Sequence, residues 1–214
     1  MDTRNKAERF WDRTASNYDK EEKRDEQTYL RIIEKTKRYL KITDEVLDFG
    51  CGTGLISNEI AVYVKMVHAI DLSSKMIEIA KTKAIGRKIQ NIDYAHSTIF
   101  ENRFKKSSFD VILAFYVLHL SDDSQRVIQR MNELLKPGGL IISATPCMGE
   151  KPILNSLFSI GSKIGIIPKI NSFKISGLEH LFIKENFELI ETDCLKPNAP
   201  QYFLIAKKLK VYKK

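Results

Sequence analysis

The chain has 214 residues, of which 43% are hydrophobic, so it can bury one sizeable core and we expect a single domain over residues 1–214. Its net charge of +8 is spread along the sequence among acidic residues, which argues against nucleic-acid binding, although residues 207–214 form a basic tail. With three scattered cysteines and no run near the ~18 apolar residues of a membrane span, it resembles neither a disulfide scaffold, a zinc protein nor a membrane protein, and we expect a cytoplasmic protein.

Two helices are predicted at the N-terminus, where residues 1–41 would form a helical cap. Apolar positions recur at helical spacing between residues 28 and 40. Ala7, Phe10 and Trp11 share one face of an earlier helix. Both predicted helices lie before residue 46, where an alternation of strands and helices begins.

From residue 46 onward, short apolar strands alternate with helical segments. This order is typical of an α/β fold, in which helices cover both faces of a mostly parallel sheet. Ser121 is predicted to cap the helix after the fourth strand, and Ser176 and Glu179 form a capping box for a helix that ends near Asn186. The predicted strands are Val46–Phe49, Met66–Ile70, Ile92–Ala95, Phe109–Phe115, Leu140–Ala144, Phe187–Ile190 and Tyr202–Ala206.

Residues 146–173 interrupt this alternation. The segment is apolar, contains glycines and is longer than the usual connections of a compact α/β domain. Long insertions often serve as lids or binding loops, but an irregular flap that covers the edge of the core fits as well. Both interpretations remain open at this stage.

A glycine-rich turn, GCGTG, follows the first predicted strand directly. Gly50, Gly52 and Gly54 permit positive φ angles and let a ligand approach the main chain where no Cβ stands in the way. Asp71 ends the next strand, a position from which a carboxylate reaches the hydroxyls of a ribose. The two features together predict a site for a cofactor that contains a nucleoside.

The spacing within the turn argues against NAD. The dinucleotide fingerprint G-x-G-x-x-G needs a glycine where this chain has Leu55. Asp48 precedes the turn, and its carboxylate would repel a pyrophosphate but suit a cationic amine or sulfonium. A cofactor with a positive charge is therefore favoured.

Four motifs together resemble the class I S-adenosylmethionine-dependent methyltransferases, particularly the small-molecule branch that includes quinone-biosynthesis methyltransferases. They are VLDFGCGTG, AIDLS, FDVILAFYVLHL and LKPGG, and the resemblance extends from about Phe10 to Lys208. It implies a Rossmann-like fold with a seven-stranded, mostly parallel sheet and a final antiparallel strand. It also implies S-adenosyl-L-methionine as the cofactor and S-adenosyl-L-homocysteine as the product.

The resemblance also implies which residues contact the cofactor. Asp71 would accept both ribose hydroxyls, and Leu72 would pack on the adenine ring. Tyr18, in the leader RFWDRTASNYDK, would close over the methionine end, or else serve as a core aromatic. The complete set of expected cofactor contacts is Tyr18, Asp48, Gly50, Cys51, Gly52, Gly54, Asp71, Leu72, Met76, Ser97, Thr98, Ile99 and Phe115.

One position departs from the family pattern. After the third strand the family usually has an acid near the adenine amino group, whereas this chain has Thr98 there. A hydroxyl or a main-chain group can still contact an amino group, so we expect the same cofactor class, with weaker binding as one outcome.

Methyl transfer from a sulfonium is an in-line displacement, which needs alignment and exclusion of water more than catalytic side chains. His119 is the candidate general base, and Tyr116 the candidate to line the acceptor site, although either side chain can simply be packed. His96 is a weaker candidate. Cys147 follows the fifth strand, but the second cysteine of the cytosine-5 RNA methyltransferases is absent after the fourth strand, so a nucleophilic role is not favoured.

We therefore expect a methyltransferase that acts on an oxygen, nitrogen or carbon atom of a small, partly apolar acceptor, with no metal. No [DNS]-P-P-[YFW] motif follows the fourth strand, which argues against an adenine-N6 or glutamine-N5 methyltransferase. The alternatives are an RNA or protein methyltransferase that uses the basic tail, a cofactor-binding scaffold without turnover, and lastly an NAD-dependent oxidoreductase. Oligomeric state cannot be inferred from the sequence.

Overall fold

The computed structural model describes residues 3–22, 25–163, 168–196 and 199–210. The chain divides into two compact units, Met1–Glu101 and Asn102–Lys214. The single domain expected from the sequence stays a prediction. No helix among the described residues has both the length and the apolar character needed to cross a membrane.

In its described residues, the first unit has four α-helices, a 3-10 turn at Ala61–Tyr63 and three strands. Its strands pair in parallel, β1 with β2 and β2 with β3. The two predicted N-terminal helices are present. The elements are α1 (Thr3–Glu22), α2 (Glu26–Lys37), β1 (Glu45–Phe49), α3 (Leu55–Ile60), β2 (Met66–Asp71), α4 (Ser74–Gly86) and β3 (Ile92–His96).

Over the ranges that the structure describes, the second unit has three α-helices and four strands. Within it β4 and β5 are parallel, whereas β7 is antiparallel to both β5 and β6. Short 3-10 turns lie at Leu118–Leu120 and Met148–Glu150. The elements are β4 (Phe109–Phe115), α5 (Ser124–Leu134), β5 (Leu135–Pro146), α6 (Pro152–Lys163), α7 (Ile175–Lys184), β6 (Phe187–Cys194) and β7 (Gln201–Lys208).

The seven strands form one sheet in the order β3-β2-β1-β4-β5-β7-β6. The sheet is mostly parallel, and its last strand in the chain is antiparallel, so the predicted fold class is confirmed. On α5 an apolar stripe is buried, because this face of the helix covers the core. The stripe consists of Val127, Ile128, Met131 and Leu134.

Both predicted helix caps are wrong, because carboxylates of other residues accept the hydrogen bonds of the first helical N–H groups. The carboxylate of Asp123, rather than Ser121, accepts a hydrogen bond from the main-chain N–H of Arg126 at 2.9 Å. No side chain of a Ser176–Glu179 box caps α7; instead Glu150 Oε1 accepts from the N–H of Ile175 at 2.9 Å. An acid 25 residues earlier thus replaces the local cap.

The apolar insertion at 146–173 is partly helical rather than irregular. After β5 and a 3-10 turn, α6 covers Pro152–Lys163, whereas residues 164–167 lie outside the described residues. Pro152 occupies the first helical position, where the missing N–H of proline costs no hydrogen bond. Whether the insertion is an acceptor lid stays a proposal.

Candidate active site

The glycine turn after β1 has the backbone that its sequence predicts. Gly50, Gly52 and Gly54 have φ angles of 76°, 52° and 73°, a region that side chains with a Cβ rarely adopt. The N–H groups of Gly50 and Cys51 both donate to the carbonyl of Ile70, at 2.9 and 3.0 Å. The turn is therefore bound to the end of β2.

Gly54 has a second reason to be glycine. A Cβ there would lie 2.3 Å from Tyr94 Oη, 2.9 Å from Tyr94 Cζ and 3.0 Å from the Cβ of Ala80. The Tyr94 hydroxyl donates to Asn58 Oδ1 at 3.2 Å, so it is held in this place. Tyr94, a residue that the sequence analysis missed, thus fills the place that a Cβ at position 54 would take, and the cofactor contact of Gly54 stays a prediction.

Asp71 ends β2 with both carboxylate oxygens directed at main-chain donors. Oδ2 accepts from the N–H of Gly52 at 2.9 Å, and Oδ1 accepts from the N–H of Ser73 at 2.8 Å. Burial raises the pKa of Asp71, while these hydrogen bonds oppose that effect. Because a carboxylate offers about four acceptor positions, it can still accept hydroxyl groups of a ligand.

Asp48 lies behind the turn and is 3% exposed. Ser57 Oγ donates to Asp48 Oδ2 at 2.5 Å. Burial raises the pKa of Asp48 to about 7, with a smaller contribution from the nearby carboxylate of Asp71. Its charge is therefore sensitive to any cation that binds beside it.

Helix α1 is fastened to the same region by two acids that the sequence analysis missed. Asp19 Oδ1 accepts from Thr53 Oγ1 at 2.6 Å, and its other oxygen forms an ion pair with Lys83 Nζ at 2.5 Å. Asp12 Oδ1 accepts from Ser73 Oγ at 2.6 Å. Since Asp12 and Asp19 lie two helical turns apart, they share one face of α1, which was the available signal.

Tyr18 lies on this helix beside the glycine turn. Its Cε1 atom is 3.5 Å from where a Cβ on Gly52 would be. Its ring also meets that of Trp11 edge to face, with centroids 6.3 Å apart. The structure therefore brings Tyr18, Gly52 and Asp71 together, and their contact with a cofactor stays a prediction.

The remaining candidate cofactor contacts of the first unit differ in their hydrogen bonds and in their burial. The N–H of Ser97 donates to the carbonyl of Asp71 at 3.0 Å, which joins the ends of β2 and β3. The carbonyl of Leu72 lies 2.9 Å from Nε2 of His96. Three others have buried side chains, whereas Thr98 is partly exposed. Those with buried side chains are Cys51, Met76 and Ile99.

In the second unit, Phe115 and Tyr116 lie at the end of β4. Phe115 is buried, and the N–H of Tyr116 donates to the carbonyl of Ala144 at 2.8 Å. Tyr116 has a φ angle of 53°, which is unusual for a residue with a bulky side chain. Strained residues of this kind cluster at functional sites, so Tyr116 remains a candidate.

His119 lies in the 3-10 turn after β4 and is 9% exposed. Its Nδ1 atom has no hydrogen-bond partner among the described residues. Burial lowers the pKa of His119 to about 4, so the ring is neutral near pH 7. A neutral ring has a nitrogen that can accept a proton, although the low pKa makes it a weak base.

Cys147 is fully buried after β5, and burial raises the pKa of its thiol to about 12. The thiolate that a nucleophile requires is therefore scarce at neutral pH, in line with the sequence-based expectation. Within the described ranges no cluster of three or more His, Cys, Asp or Glu side chains could hold a metal ion.

Comparison with known proteins finds similarity to a family over the part of the chain that contains most of these motifs. Residues 47–143 match a family model described as a methyltransferase domain. The ubiquinone biosynthesis O-methyltransferase of Coxiella burnetii is 32% identical over 124 residues, which cover 58% of this chain and 53% of the relative. The chain thus spans about half the length of the curated relatives it matches.

Solved structures resemble the fold over most of the chain. A SAM-dependent methyltransferase from Methanosarcina mazei has a TM-score of 0.66 at 24% identity and covers 80% of this chain and 95% of its own. An S-adenosylmethionine-dependent methyltransferase from Mesorhizobium loti has a TM-score of 0.66 at 16% identity, with coverages of 79% and 92%. At these identities the likeness concerns the fold.

Proposed function

We propose that this S-adenosylmethionine-dependent methyltransferase methylates a hydroxyl oxygen of a small, partly apolar acceptor. The match over residues 47–143 and the curated relatives support the methyltransferase family and, with it, the cofactor class predicted from the sequence. The acceptor is the proposed part. It is supported by relatives from Coxiella burnetii and Shewanella that are named ubiquinone biosynthesis O-methyltransferases.

The observation that carries the cofactor assignment is the position of Asp71 at the glycine turn. Its two oxygens are oriented by the N–H groups of Gly52 and Ser73, and their free lone pairs suit a pair of ribose hydroxyls. Two acids, Asp48 and Asp71, at one turn would repel a diphosphate but not a nucleoside with a cationic tail. These residues therefore fit S-adenosylmethionine.

Asp48 fits the positively charged end of that cofactor. When bound, the cofactor supplies a methyl group on a positively charged sulfur, ready for in-line displacement. A nearby positive charge favours the ionised form of Asp48, whose pKa of about 7 leaves it only partly ionised at neutral pH. Ser57 holds the carboxyl in one orientation through its hydroxyl hydrogen bond.

His119 is our proposed general base for the acceptor hydroxyl. Support comes from the neutral ring and the buried Nδ1 atom that lacks a partner among the described residues. We further propose that the insertion at 146–173 contacts the acceptor, because its sequence is apolar and Ile153 is 83% exposed. A base of low pKa is expected to act best on an acidic hydroxyl such as a phenol.

The basic tail offers little support for the alternative nucleic-acid acceptor. Lys208 Nζ donates to the carbonyls of Asn132 and Leu135, at 2.5 and 2.8 Å, so this cation has an internal role. Residues 211–214 lie outside the described residues. We therefore retain the small acceptor.

The cofactor assignment is tested by calorimetric titration with S-adenosylhomocysteine on wild type, Asp71→Ala and Asp71→Asn. We expect Asp71→Ala to weaken binding at least about tenfold, because it removes hydrogen bonds to a charged group. Asp93→Ala is the matched control, since Asp93 is an exposed acid on the neighbouring strand β3. Equal affinity of Asp71→Ala and Asp93→Ala, with both variants folded, would contradict the assignment.

The acceptor proposal is tested by S-adenosylhomocysteine release with 4-tert-butylcatechol, 3,4-dihydroxybenzoate or bulk tRNA as the acceptor. We expect turnover of a catechol, and His119→Gln should lower kcat by about a hundredfold while leaving cofactor affinity unchanged. Turnover on tRNA alone would overturn the small-acceptor proposal. An unchanged kcat in His119→Gln would remove His119 from the mechanism.

A further inference from the structure

We propose that Asn171 is a positioning residue for the acceptor half of the reaction, because it ties the returning end of the insertion to the turn that carries His119. The proposal rests on the proposed function in one respect: His119 must act in the reaction. It concerns residues of the second unit only.

Asn171 makes three hydrogen bonds to the segment that begins at His119. Its main-chain N–H donates to the carbonyl of His119 at 2.7 Å. Its side-chain amide donates to the carbonyl of Ser121 at 2.5 Å and to Ser124 Oγ at 3.2 Å. One residue therefore joins the insertion to both the 3-10 turn and the first turn of α5.

The two ends of the insertion also bind each other, at a cluster that we call the neck, formed by Gly149, Glu150, Phe173 and Ile175. The N–H of Gly149 donates to the carbonyl of Phe173 at 2.8 Å, and Glu150 Oε1 accepts from the N–H of Ile175 at 2.9 Å. Because the neck joins the two ends of the insertion, Asn171 is held close to a fixed part of the structure. Its anchoring bonds therefore restrain the insertion and the His119 turn together.

A main-chain hydrogen bond restrains the position of His119. Its Nδ1 has no partner among the described residues, so a ring hydrogen bond from that atom does not orient the side chain. The carbonyl of His119 accepts from Asn171, and Ser121 Oγ donates to the carbonyl of Leu118 at 2.7 Å. Loss of the Asn171 side-chain donors should therefore loosen the turn and admit water to the imidazole.

Asn171→Asp tests this inference because it preserves the size of the side chain and the main-chain hydrogen bond. A carboxylate has no N–H donors, so it loses the bond to the carbonyl of Ser121 and faces that oxygen without a proton between them, although it can accept from the Ser124 hydroxyl. The matched control is Asn132→Asp. Asn132 Nδ2 donates to the carbonyl of Glu185 at 2.7 Å, which is the same kind of bond elsewhere in this unit.

The first readout is an NMR titration of the histidine Cε1–H signals, with His119 assigned by comparison with His119→Gln. We expect the pKa of His119 to move from about 4 toward its ordinary value of 6.5 in Asn171→Asp and also in Asn171→Ala, which adds no charge, but not in Asn132→Asp. This measurement needs no acceptor. It can therefore fail or succeed independently of the proposed function.

The second readout is kinetic, with 4-tert-butylcatechol as acceptor at saturating S-adenosylmethionine. We expect kcat of Asn171→Asp to fall at least about tenfold, with cofactor affinity as in wild type and no such loss in Asn132→Asp. If Asn171→Asp does not fold, Asn171→Ala removes the same donors without adding a charge. The proposal is overturned if the titration and kcat of the folded variant match those of Asn132→Asp. If His119→Gln retains full kcat, the proposed role of His119 fails, and the positioning proposal with it.

Discussion

The glycine turn of the first unit and the His119 turn of the second unit satisfy their polar atoms differently. At the glycine turn, both Asp48 and Asp71 accept short hydrogen bonds from neighbouring groups. In the second unit, His119 Nδ1, Ser143 Oγ and Thr145 Oγ1 are buried without a partner among the described residues. Under the proposed function, the cofactor site is shaped in advance, whereas His119 keeps a nitrogen available for the acceptor.

Among substitutions in the first region, Gly54→Ala should have the largest effect on stability and cofactor binding. The methyl group would occupy a backbone with φ of 73° and would collide with Tyr94, whose Cζ lies 2.9 Å away. We expect the free energy of unfolding to fall by about 2–4 kcal/mol and S-adenosylhomocysteine binding to be lost. Urea denaturation and calorimetry measure the two effects.

Gly86→Ala is the control for this substitution. Gly86 ends α4, and a Cβ there would meet no heavy atom within 4 Å. Its stability should change little, and its cofactor affinity should equal that of wild type. If Gly54→Ala were as stable as Gly86→Ala, Tyr94 and the turn would be able to shift at little cost, which would contradict this prediction.

The pH dependence of stability should have opposite signs in the two regions. The folded pKa of Asp48 is about 7, above the ordinary value of 3.8, so between these values only the folded state holds the proton. Its stabilising contribution is present in acid and is lost as pH rises toward 7. Asp48→Asn should therefore gain stability relative to wild type as pH rises, by about 1–3 kcal/mol at pH ~8.

The contribution of His119 to stability should change with pH in the opposite direction. Its folded pKa is about 4, below the ordinary 6.5, so the unfolded state takes up a proton first as pH falls. Stability is lost between these two values, and His119→Gln should reduce that loss. Chemical denaturation of wild type and both variants between pH ~5 and ~8 compares the slopes. Parallel curves for all three proteins would contradict the contrast.

A smaller effect is expected at the neck of the insertion. In Gly149→Ala the new Cβ would lie 2.8 Å from the carbonyl oxygen of Phe173, a main-chain atom that cannot rotate away. We expect stability to fall by about 1–2 kcal/mol and cofactor affinity to be unchanged. Gly177→Ala, where no atom lies within 4 Å, should instead gain up to about 1 kcal/mol because alanine favours the helix. Equal stability of the two variants would show that the neck adapts.

Strands were easier to predict from the sequence than helix ends. All seven predicted strands are present, because buried strands appear as compact apolar runs, although most extend beyond the predicted ends. The caps at Ser121 and Ser176 were wrong because Asp123 and the distant Glu150 provide the acceptors. For α6, the proline at its first position was a start signal that the glycines obscured.

The residues of the candidate site likewise differ in how readily the sequence predicts them. The glycines and Asp71 are readable because a local motif specifies their backbone geometry. Tyr94, Asp12 and Asn171 were missed, because their partners lie 36, 61 and 50 residues away in the sequence. Such contacts exist only once the chain has folded. For Asp12, the spacing to Asp19 indicates a shared helix face but does not identify the partner residue.

The contact between Tyr94 and Gly54 also limits how this sequence can diverge. A smaller residue at position 94 would leave a void beside Gly54 and deprive Asn58 of a donor, whereas any side chain at position 54 meets the tyrosine ring. Single-substitution libraries should therefore score both positions as intolerant. Paired libraries should recover combinations that neither single step allows, so the two sites are expected to show epistasis and to constrain the order of evolutionary change.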